Sequence, residues 1–320
     1  MNIYFEKKFF SFNLVSVIQT SKSDWLVKKG WIIKLDNFNK SGFGEIAPLN
    51  AKDLAICHKQ IAQIPNFINS NRIFKQITNF HPCIQSGFYS AFAEMEGKFT
   101  FKEINNFKEI NQTVILVNSK TILEELKLLK KNKSLKNKEF TIKWKVAVQN
   151  NIIEEKLLEN ILNILSERIK IRIDANGAWQ RETANRWAEI LKDNKNLEWL
   201  EQPLSAEDID GARELNQKIP IALDETLLKY PEVINKWEGW QIRRPSQEKN
   251  PLLLLESLEK KKNYLSISSS FETGIGRRLL LHFANIQMLS NTPTLPGLAL
   301  SKMPKTLLFA EDPNTIWESI

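Results

Sequence analysis

Five charged residues stand at the ends of short apolar runs and recur about one strand-plus-helix unit apart. Lys145 is followed by Asp174, Glu201, Asp224 and Arg244 at intervals of 29, 27, 23 and 20 residues. A strand, a loop, a helix and a return loop use that many residues. Parallel strands that repeat in this way close into a barrel whose carboxyl ends share one face. We therefore expect three carboxylates and several cations to meet at one barrel mouth, as a metal site with a base beside it.

The three acidic residues of this series predict a metal site. Asp174, Glu201 and Asp224 would crowd together, and carboxylates repel one another unless a cation joins them. Ligands that are all oxygen, with no histidine or cysteine nearby, favour Mg²⁺ or Mn²⁺ over Zn²⁺. A single acidic residue after a strand is commonly a cap of the following helix. Their occurrence after three successive strands favours the metal site over helix caps.

Two lysines flank Trp144 on the strand that ends at Lys145. Side chains at positions i and i+2 lie on the same face of a strand, so Lys143 and Lys145 point the same way. That face is either the barrel interior or the helical layer. In the interior, burial beside a dication lowers the pKa of a lysine and lets it act as a base. The alternative is an ordinary strand with a polar outer face.

The hydrophobic pattern predicts the elements that hold these residues. Residues 1 to about 50 predict short strands that end in a turn at 42–48, and residues 51 to about 97 predict helices. From about residue 113, strands alternate with helices. The predicted strands are 113–117, 140–146, 171–174, 197–200, 220–223, 239–243, 264–268 and one within 292–298. This pattern indicates an α/β chain of roughly eight barrel strands behind an antiparallel α+β segment.

The composition is that of a globular chain. It has 320 residues, enough for two domains, and 42% of them are hydrophobic. The net charge is +8, and six lysines fall between residues 127 and 138 without arginine or interleaved aromatic residues. Such a cluster is typical of a solvated helix end and loop, with attraction of nucleic acid as the weaker alternative. We expect no nucleic-acid partner and no membrane span, and the sequence does not indicate an oligomeric state.

Two features bear on the cellular compartment. Cys57 and Cys83 are neither close in sequence nor near other ligand types, so they imply no disulfide framework. A reducing, cytoplasmic compartment is therefore expected. The apolar run from Phe9 to Ile18 follows two lysines, as in a secretory signal. Three polar residues interrupt it and no small-residue cleavage site follows, so a strand fits better.

Four short motifs lie at the ends of the predicted barrel strands: Lys143-x-Lys145, Asp174-x-Asn176, Glu201-Gln-Pro203 and Asp224-Glu225. Together they resemble the enolase superfamily, in its muconate-lactonising-enzyme branch. Within that branch the chain is most similar to the o-succinylbenzoate synthase family, because of the serine-rich segment 267–276 that contains Glu272. The segment 42–48 also resembles the capping domain of that family. The resemblance covers nearly the whole chain.

This resemblance implies a fold, a cofactor and a base. The fold is a (β/α)7β-type modified TIM barrel with an N-terminal α+β capping domain. We assign residues 1–105 to the capping domain and 106–300 to the barrel, with a tail at about 300–320 that packs back on the capping domain. The implied Mg²⁺ ligands are Asp174, Glu201 and Asp224. Lys145 is the implied general base, and Lys143 supports it electrostatically.

The resemblance also implies a reaction and residues that contact the substrate, a small carboxylate. Asn176 orients the metal shell, and Ser268, Ser269, Ser270 and Gly297 lie near the distal carboxylate. The reaction is a Mg²⁺-dependent syn dehydration of a cyclohexadiene carboxylate to o-succinylbenzoate, in menaquinone or phylloquinone biosynthesis. The base removes the proton alpha to a carboxylate, which gives an enediolate. The same lysine then donates its proton to the departing hydroxyl.

The chain departs from this family at the sixth barrel strand, where Arg244-Pro-Ser replaces the usual Lys-Pro-Ser. An arginine holds its proton at working pH, so it can be a fixed cation beside an aromatic ring or an enolate but not a second base. This disfavours an N-acyl amino acid racemase, which needs a base on each face. A mandelate-racemase-like dehydratase needs a histidine on a late strand, and all three histidines lie in predicted helices or loops. The alternative from a different functional class is a barrel protein that binds a metal or ligand without catalysing a reaction.

Overall fold

The computed structural model describes residues 2–98, 114–117, 120–133, 135 and 138–320. The strands of this part are β1 Asn2–Gln19, β2 Asp24–Asp36, β3 Ser41–Ile46, β4 Phe67–Asn69, β5 Ile115–Val117, β6 Phe140–Lys145, β7 Ile169–Asp174, β8 Leu197–Glu201, β9 Ile221–Leu223, β10 Trp240–Arg243 and β11 Leu265–Ile267. Its α-helices are α1 Ala51–Ile61, α2 Ser70–Ile77, α3 Pro82–Met95, α4 Ile122–Lys131, α5 Asn151–Ile164, α6 Arg181–Leu191, α7 Ile209–Asn216, α8 Glu225–Lys229, α9 Pro251–Glu259, α10 Gly274–Met288 and α11 Pro313–Glu318.

The N-terminal strands form an antiparallel sheet in the order β3-β2-β1-β4, and α1, α2 and α3 pack on it. The predicted turn at 42–48 is wrong, because residues 41–46 form β3, in which Gly44 pairs with Ile33 of β2. The glycines of this segment allow α3 to approach. A Cβ atom at Gly44 would lie 2.0 Å from the carbonyl oxygen of Gly87 in α3. Gly42 and Gly44 therefore mark a close contact between strand and helix, not a change of chain direction.

The second sheet is parallel and contains seven strands in sequence order, from β5 to β11. One short connection closes it. The amide of Gly297 donates to the Ile267 carbonyl at 2.8 Å, and the amide of Val114 donates to the Pro296 carbonyl at 3.1 Å. The chain at 296–297 therefore lies between β11 and β5, where the final strand was predicted. The architecture is a modified (β/α) barrel with a separate α+β capping domain, which confirms the predicted fold class.

The barrel elements follow the predicted alternation with small shifts in their ends. Between β9 and β10 the chain forms the short helix α8 and then a 3₁₀ helix at 231–235. Successive strands are in register at their carboxyl ends, where Lys145 of β6 pairs with Asp174 of β7, and Asp174 pairs with Glu201 of β8. Because the strands are parallel and in register, their last residues lie side by side at one mouth.

The C-terminal segment contacts the capping domain. Lys8 Nζ donates to the Trp317 carbonyl at 2.7 Å, and the rings of Phe12 and Phe309 meet edge-on at 5.0 Å. The proposed domain boundary at 105/106 lies outside the described residues, so the division of the chain into domains stays a prediction. Among the helices of the described residues, none is long and apolar enough to span a membrane.

Candidate active site

Both lysines of β6 lie on the interior side of the barrel. Trp144 points the other way, into the helical layer, where its ring lies 5.8 Å from the ring of Trp187 on α6. Lys145 Nζ donates to Asp174 Oδ2 at 2.7 Å and to Asn176 Oδ1 at 2.9 Å. Each lysine side chain is 14% exposed, so each ammonium group has access to solvent from a mostly buried position. Of the two faces that alternation allowed, the lysines take the barrel interior.

The three carboxylates of the predicted metal site are buried at the barrel mouth. Asp174 and Glu201 end their strands, and Asp224 follows β9. Lys143 Nζ joins the first two, at 2.9 Å from Asp174 Oδ2 and 2.5 Å from Glu201 Oε1. The guanidinium of Arg244 holds the third, with Nε 3.0 Å from Asp224 Oδ1 and Nη2 2.5 Å from Asp224 Oδ2. Each carboxylate is thus paired with a cation.

The charges of this cluster shift its pKa values in opposite directions. Burial alone would raise the pKa of Asp174, but Lys143 and Lys145 outweigh it and hold that pKa below its usual value. Burial, and then Asp174, raise the pKa of Glu201. Burial alone would lower the pKa of Lys143, but Asp174 and Glu201 outweigh it and raise that pKa. Lys143 therefore differs from the low-pKa lysine expected in the interior, and it acts as a stable positive charge.

The side chains present fit a divalent cation. Asp174, Glu201 and Asp224 are buried carboxylates, and Glu225, which is partly buried, follows Asp224 directly. Among the described residues, Glu225 Oε2 is buried without a hydrogen-bond partner. Burial, and then Asp224 and Asp174, raise the pKa of Glu225 to about 7. An all-oxygen donor set of clustered carboxylates suits Mg²⁺.

The carboxylate oxygens of the three predicted ligands do not surround a common point. In the described part of the chain, they do not place one oxygen each within 4.8 Å of one another. Lys143 lies between two of them, and Arg244 engages both oxygens of Asp224. An ion held by all three therefore requires these side chains to move closer together.

Arg244 is a fixed cation at this site. It follows β10, and its Nη1 donates to the Ser269 carbonyl. Burial alone would lower the pKa of its guanidinium, but Asp224 outweighs burial and raises that pKa. The group therefore keeps its proton at working pH. Because β6 and β10 are four strands apart in the sheet, Arg244 and Lys145 approach the mouth from different sides.

A cavity of about 590 Å³ opens at this mouth. Its volume is within the usual range for small-molecule sites. The predicted site residues on its wall are Lys143, Lys145, Asn176, Asp224, Arg244, Ser268, Ser269 and Gly297. Asp174 and Glu201 lie behind the lysines, and the hydroxyl of Ser270 is buried away from the cavity. The structure thus brings nearly all of the predicted site residues to one cavity.

Part of the cavity wall comes from residues that the sequence did not indicate. Trp25 of the capping domain contacts Phe271 after β11, with ring centroids 5.5 Å apart. The loop before Trp25 reaches the barrel, because Ser21 Oγ donates to the Ala175 carbonyl at 3.1 Å. Asp53 and His81 line the cavity from α1 and the start of α3. These residues belong to a different domain, and no local pattern marks them.

The two cysteines are free thiols, but the expectation that no other ligand type lies near them is wrong. Cys57 Sγ lies 3.3 Å from Cys83 Sγ, and His81 Nδ1 lies 3.0 Å from Cys83 Sγ. Helices α1 and α3 contribute to the same hydrophobic core, which brings together cysteines that are 26 residues apart in the chain. The histidine two residues before Cys83 was the available sequence signal.

Comparison with known proteins identifies relatives of this chain. The family model "Enolase C-terminal domain-like" matches residues 133–235. The o-succinylbenzoate synthase of Thermosynechococcus vestitus is 30% identical over 286 residues, which cover 83% of each chain. The crystal structure of O-succinylbenzoate synthase from Thermosynechococcus elongatus BP-1, complexed with Mg in the active site, has a TM-score of 0.74 at 23% identity and covers 99% of this chain and 100% of that one.

A second solved structure has the same fold and a different named activity. It is a substrate-liganded complex of the L-Ala-D/L-Glu epimerase from Bacillus subtilis. Its TM-score is also 0.74, at 16% identity, with 94% of this chain and 90% of that chain covered. At that identity the likeness concerns the fold alone, so the choice of reaction depends on the residues of the site.

Proposed function

The chain belongs to the enolase superfamily, and we propose that it is a Mg²⁺-dependent lyase that dehydrates a cyclohexadiene carboxylate to o-succinylbenzoate. One observation carries the proposal. Lys145 faces the cavity beside Asp174. The cation that approaches from the other side is Arg244, which stays protonated and cannot act as a second base. The site therefore has one lysine base and one fixed cation, which is sufficient for a syn elimination. The 30% identity to an o-succinylbenzoate synthase supports this choice of reaction.

In that reaction Lys145 carries out both proton transfers, and the three carboxylates hold the metal ion. Lys145 takes the proton alpha to the substrate carboxylate, and the electron pair of the broken C–H bond enters the carboxylate to form an enediolate. As the C–O bond of the adjacent hydroxyl breaks, the protonated Lys145 returns its proton and water leaves. Both transfers take place on one face, so a single lysine suffices. A divalent ion held by Asp174, Glu201 and Asp224 would supply Lewis-acid stabilisation of the developing charge.

The neighbouring cations favour the enediolate without taking part in proton transfer. Lys143 and Arg244 are both held charged by buried carboxylates, and both line the cavity. Positive charge that is already oriented stabilises a developing anion without a reorganisation cost. Trp25 and Phe271 form an apolar wall that limits water at the reacting carbon. Asn176 holds Lys145 through Oδ1 and so orients the base.

A second candidate is racemisation of an N-acyl amino acid. The lysine pair and the carboxylates are equally suited to removing an alpha proton from such a substrate, and the epimerase with the same fold keeps this candidate open. Inversion also requires a proton from the opposite face. Arg244 stands on that side with a raised pKa, so we rank dehydration first.

The proposal is tested by incubating the purified chain with Mg²⁺ and the succinyl-hydroxycyclohexadiene carboxylate precursor. We expect conversion to o-succinylbenzoate with a kcat on the order of 1–10³ s⁻¹, the usual range for enzymes. The absorbance change on aromatisation reports the rate, and mass spectrometry identifies the product. A folded, Mg²⁺-binding protein that leaves the precursor unchanged would refute the proposed reaction.

Replacing Arg244 separates charge stabilisation from metal binding. Arg244→Ala should lower kcat for dehydration by about 10²–10³-fold, because a preoriented cation is lost. Its affinity for Mg²⁺ should be kept or increased, since Arg244 no longer engages both oxygens of Asp224. Arg244→Lys should recover part of the rate by restoring the charge. Titration calorimetry and turnover measure the two effects, and an Arg244→Ala variant with full activity would contradict the role.

A further inference from the structure

A second group of metal-ligating side chains lies outside the carboxylate site, where α1 meets α3. Cys57, His81 and Cys83 each place one ligand atom within 4.8 Å of the others. We propose that these residues bind a soft divalent ion of the Zn²⁺ type through Cys57 Sγ, Cys83 Sγ and His81 Nδ1. Thiolate and imidazole ligands select such ions, whereas Mg²⁺ prefers the oxygen ligands of the barrel mouth. The proposal does not depend on the reaction proposed above.

The contacts of His81 prepare its Nδ1 for a metal. Asp53 Oδ1 lies 3.5 Å from His81 Nε2. Because a carboxylate only accepts hydrogen bonds, this contact keeps a proton on Nε2, so an ion that takes the place of any proton on Nδ1 leaves the ring orientation unchanged. The lone pair of Nδ1 then points towards Cys83, whose sulfur and amide nitrogen lie 3.0 and 3.4 Å away. A carboxylate behind a ligating histidine is the usual outer partner in zinc sites, where it fixes the ring orientation and tautomer.

The separations are close to those of a tetrahedral site. Zn–S bonds of about 2.3 Å place two sulfur ligands about 3.8 Å apart in a tetrahedron. The two sulfurs here are 3.3 Å apart, so a shift of about half an ångström would admit the ion. The three side chains supply three ligands, and a tetrahedral ion takes its fourth from water or a small solute.

The cluster has a route to solvent. Both cysteines are fully buried, but His81 and Asp53 line the large cavity at the barrel mouth. The His81 side chain is 17% exposed, so the cluster has a partly accessible edge at the cavity. Once bound, an ion would tie α1 to the start of α3 and fix His81, which lines the same cavity as Lys145.

The test uses the full chain purified without chelator and then dialysed against buffer that contains Mg²⁺ but no zinc. We expect one zinc per chain by elemental analysis. After replacement by Co²⁺, we expect thiolate-to-cobalt charge-transfer absorption in the near ultraviolet and the intense visible bands of tetrahedral cobalt. Cys83→Ser and Cys57→Ser should each lose these signals while the far-ultraviolet circular dichroism is unchanged. Glu201→Gln is the matched control, because it alters the carboxylate site and should leave the cobalt bands intact.

Three results would overturn the proposal. The first is a wild-type chain that neither retains zinc nor gives thiolate–cobalt bands when Co²⁺ is added. The second is cobalt bands that persist in both cysteine variants. The third is a disulfide between Cys57 and Cys83, detected as the absence of titratable thiols in the denatured, unreduced protein. In that case the pair would be a redox couple and not a metal site.

Discussion

Lys145→Ala is expected to lose at least about 10²–10⁴-fold in kcat for dehydration, the usual contribution of a positioned general base. The methyl side chain leaves no group to take the alpha proton or return it to the hydroxyl. The fold should persist, because Asp174 keeps its second ion pair, with Lys143. Mg²⁺ affinity should also persist, since the three carboxylates are unchanged. Turnover, calorimetric titration with Mg²⁺ and circular dichroism check these three expectations.

The matched control for this variant is Lys29→Ala. Lys29 is exposed on β2 of the capping domain, outside the cavity, and its loss should leave kcat unchanged. Near-normal turnover by Lys145→Ala would assign the base to another residue. An unfolded variant would be followed by Lys145→Met, which preserves the length and apolar stem of the side chain. The same loss of rate is expected from that variant.

Glu201→Gln is expected to weaken Mg²⁺ binding strongly and to reduce turnover by at least about 10³-fold, because metal stabilisation of the enediolate is lost. The substitution keeps the shape of the side chain and removes one charge. Asp174 still forms an ion pair with Lys143, so no buried cation is left without a carboxylate partner. Chelation of Mg²⁺ from the unmodified chain should give a similar loss that added Mg²⁺ restores. Calorimetry and turnover across a Mg²⁺ titration measure both.

The control for this variant is Glu238→Gln, at an exposed position before β10 and away from the cavity. It should bind Mg²⁺ and turn over as the unmodified chain does. If Glu201→Gln kept its Mg²⁺ affinity and its turnover, the assignment of Glu201 as a metal ligand would be wrong. Loss of turnover with unchanged Mg²⁺ affinity would instead make Glu201 an electrostatic partner of Lys143.

The sequence predicted the barrel and its mouth well because both depend on local, repeated patterns. Short apolar strands alternate with amphipathic helices, so strand order follows chain order, and a charged residue at each strand end must lie at the same face. Lys145, Asp174 and Glu201 indeed pair in register. Alternation on β6 left two faces open for Lys143 and Lys145, and only the packing of Trp144 against Trp187 decided between them.

Features that depend on contacts between distant segments could not be predicted in this way. The sequence predicts Gly44 as part of a turn, because the feature that requires a glycine there is the backbone of α3, 43 residues later in the chain. The wall formed by Trp25 and Phe271 joins two domains, and no periodicity links them. The raised pKa of Lys143 follows from which carboxylates it contacts, not from its burial. Each of these features needs tertiary geometry.

In the proposed reaction one lysine performs the proton chemistry, while Arg244 only supplies charge. The most direct test is to incubate separate enantiomers of an N-succinyl amino acid with the chain and Mg²⁺ in D₂O. We predict that the enantiomer whose alpha proton faces Lys145 exchanges it for deuterium with retention, that the other does not exchange, and that neither inverts at an appreciable rate. Arg244→Lys, which adds a group able to donate a proton, should gain inversion. Rapid inversion by the unmodified chain would contradict the claim, because a second proton donor would then have to act at this site.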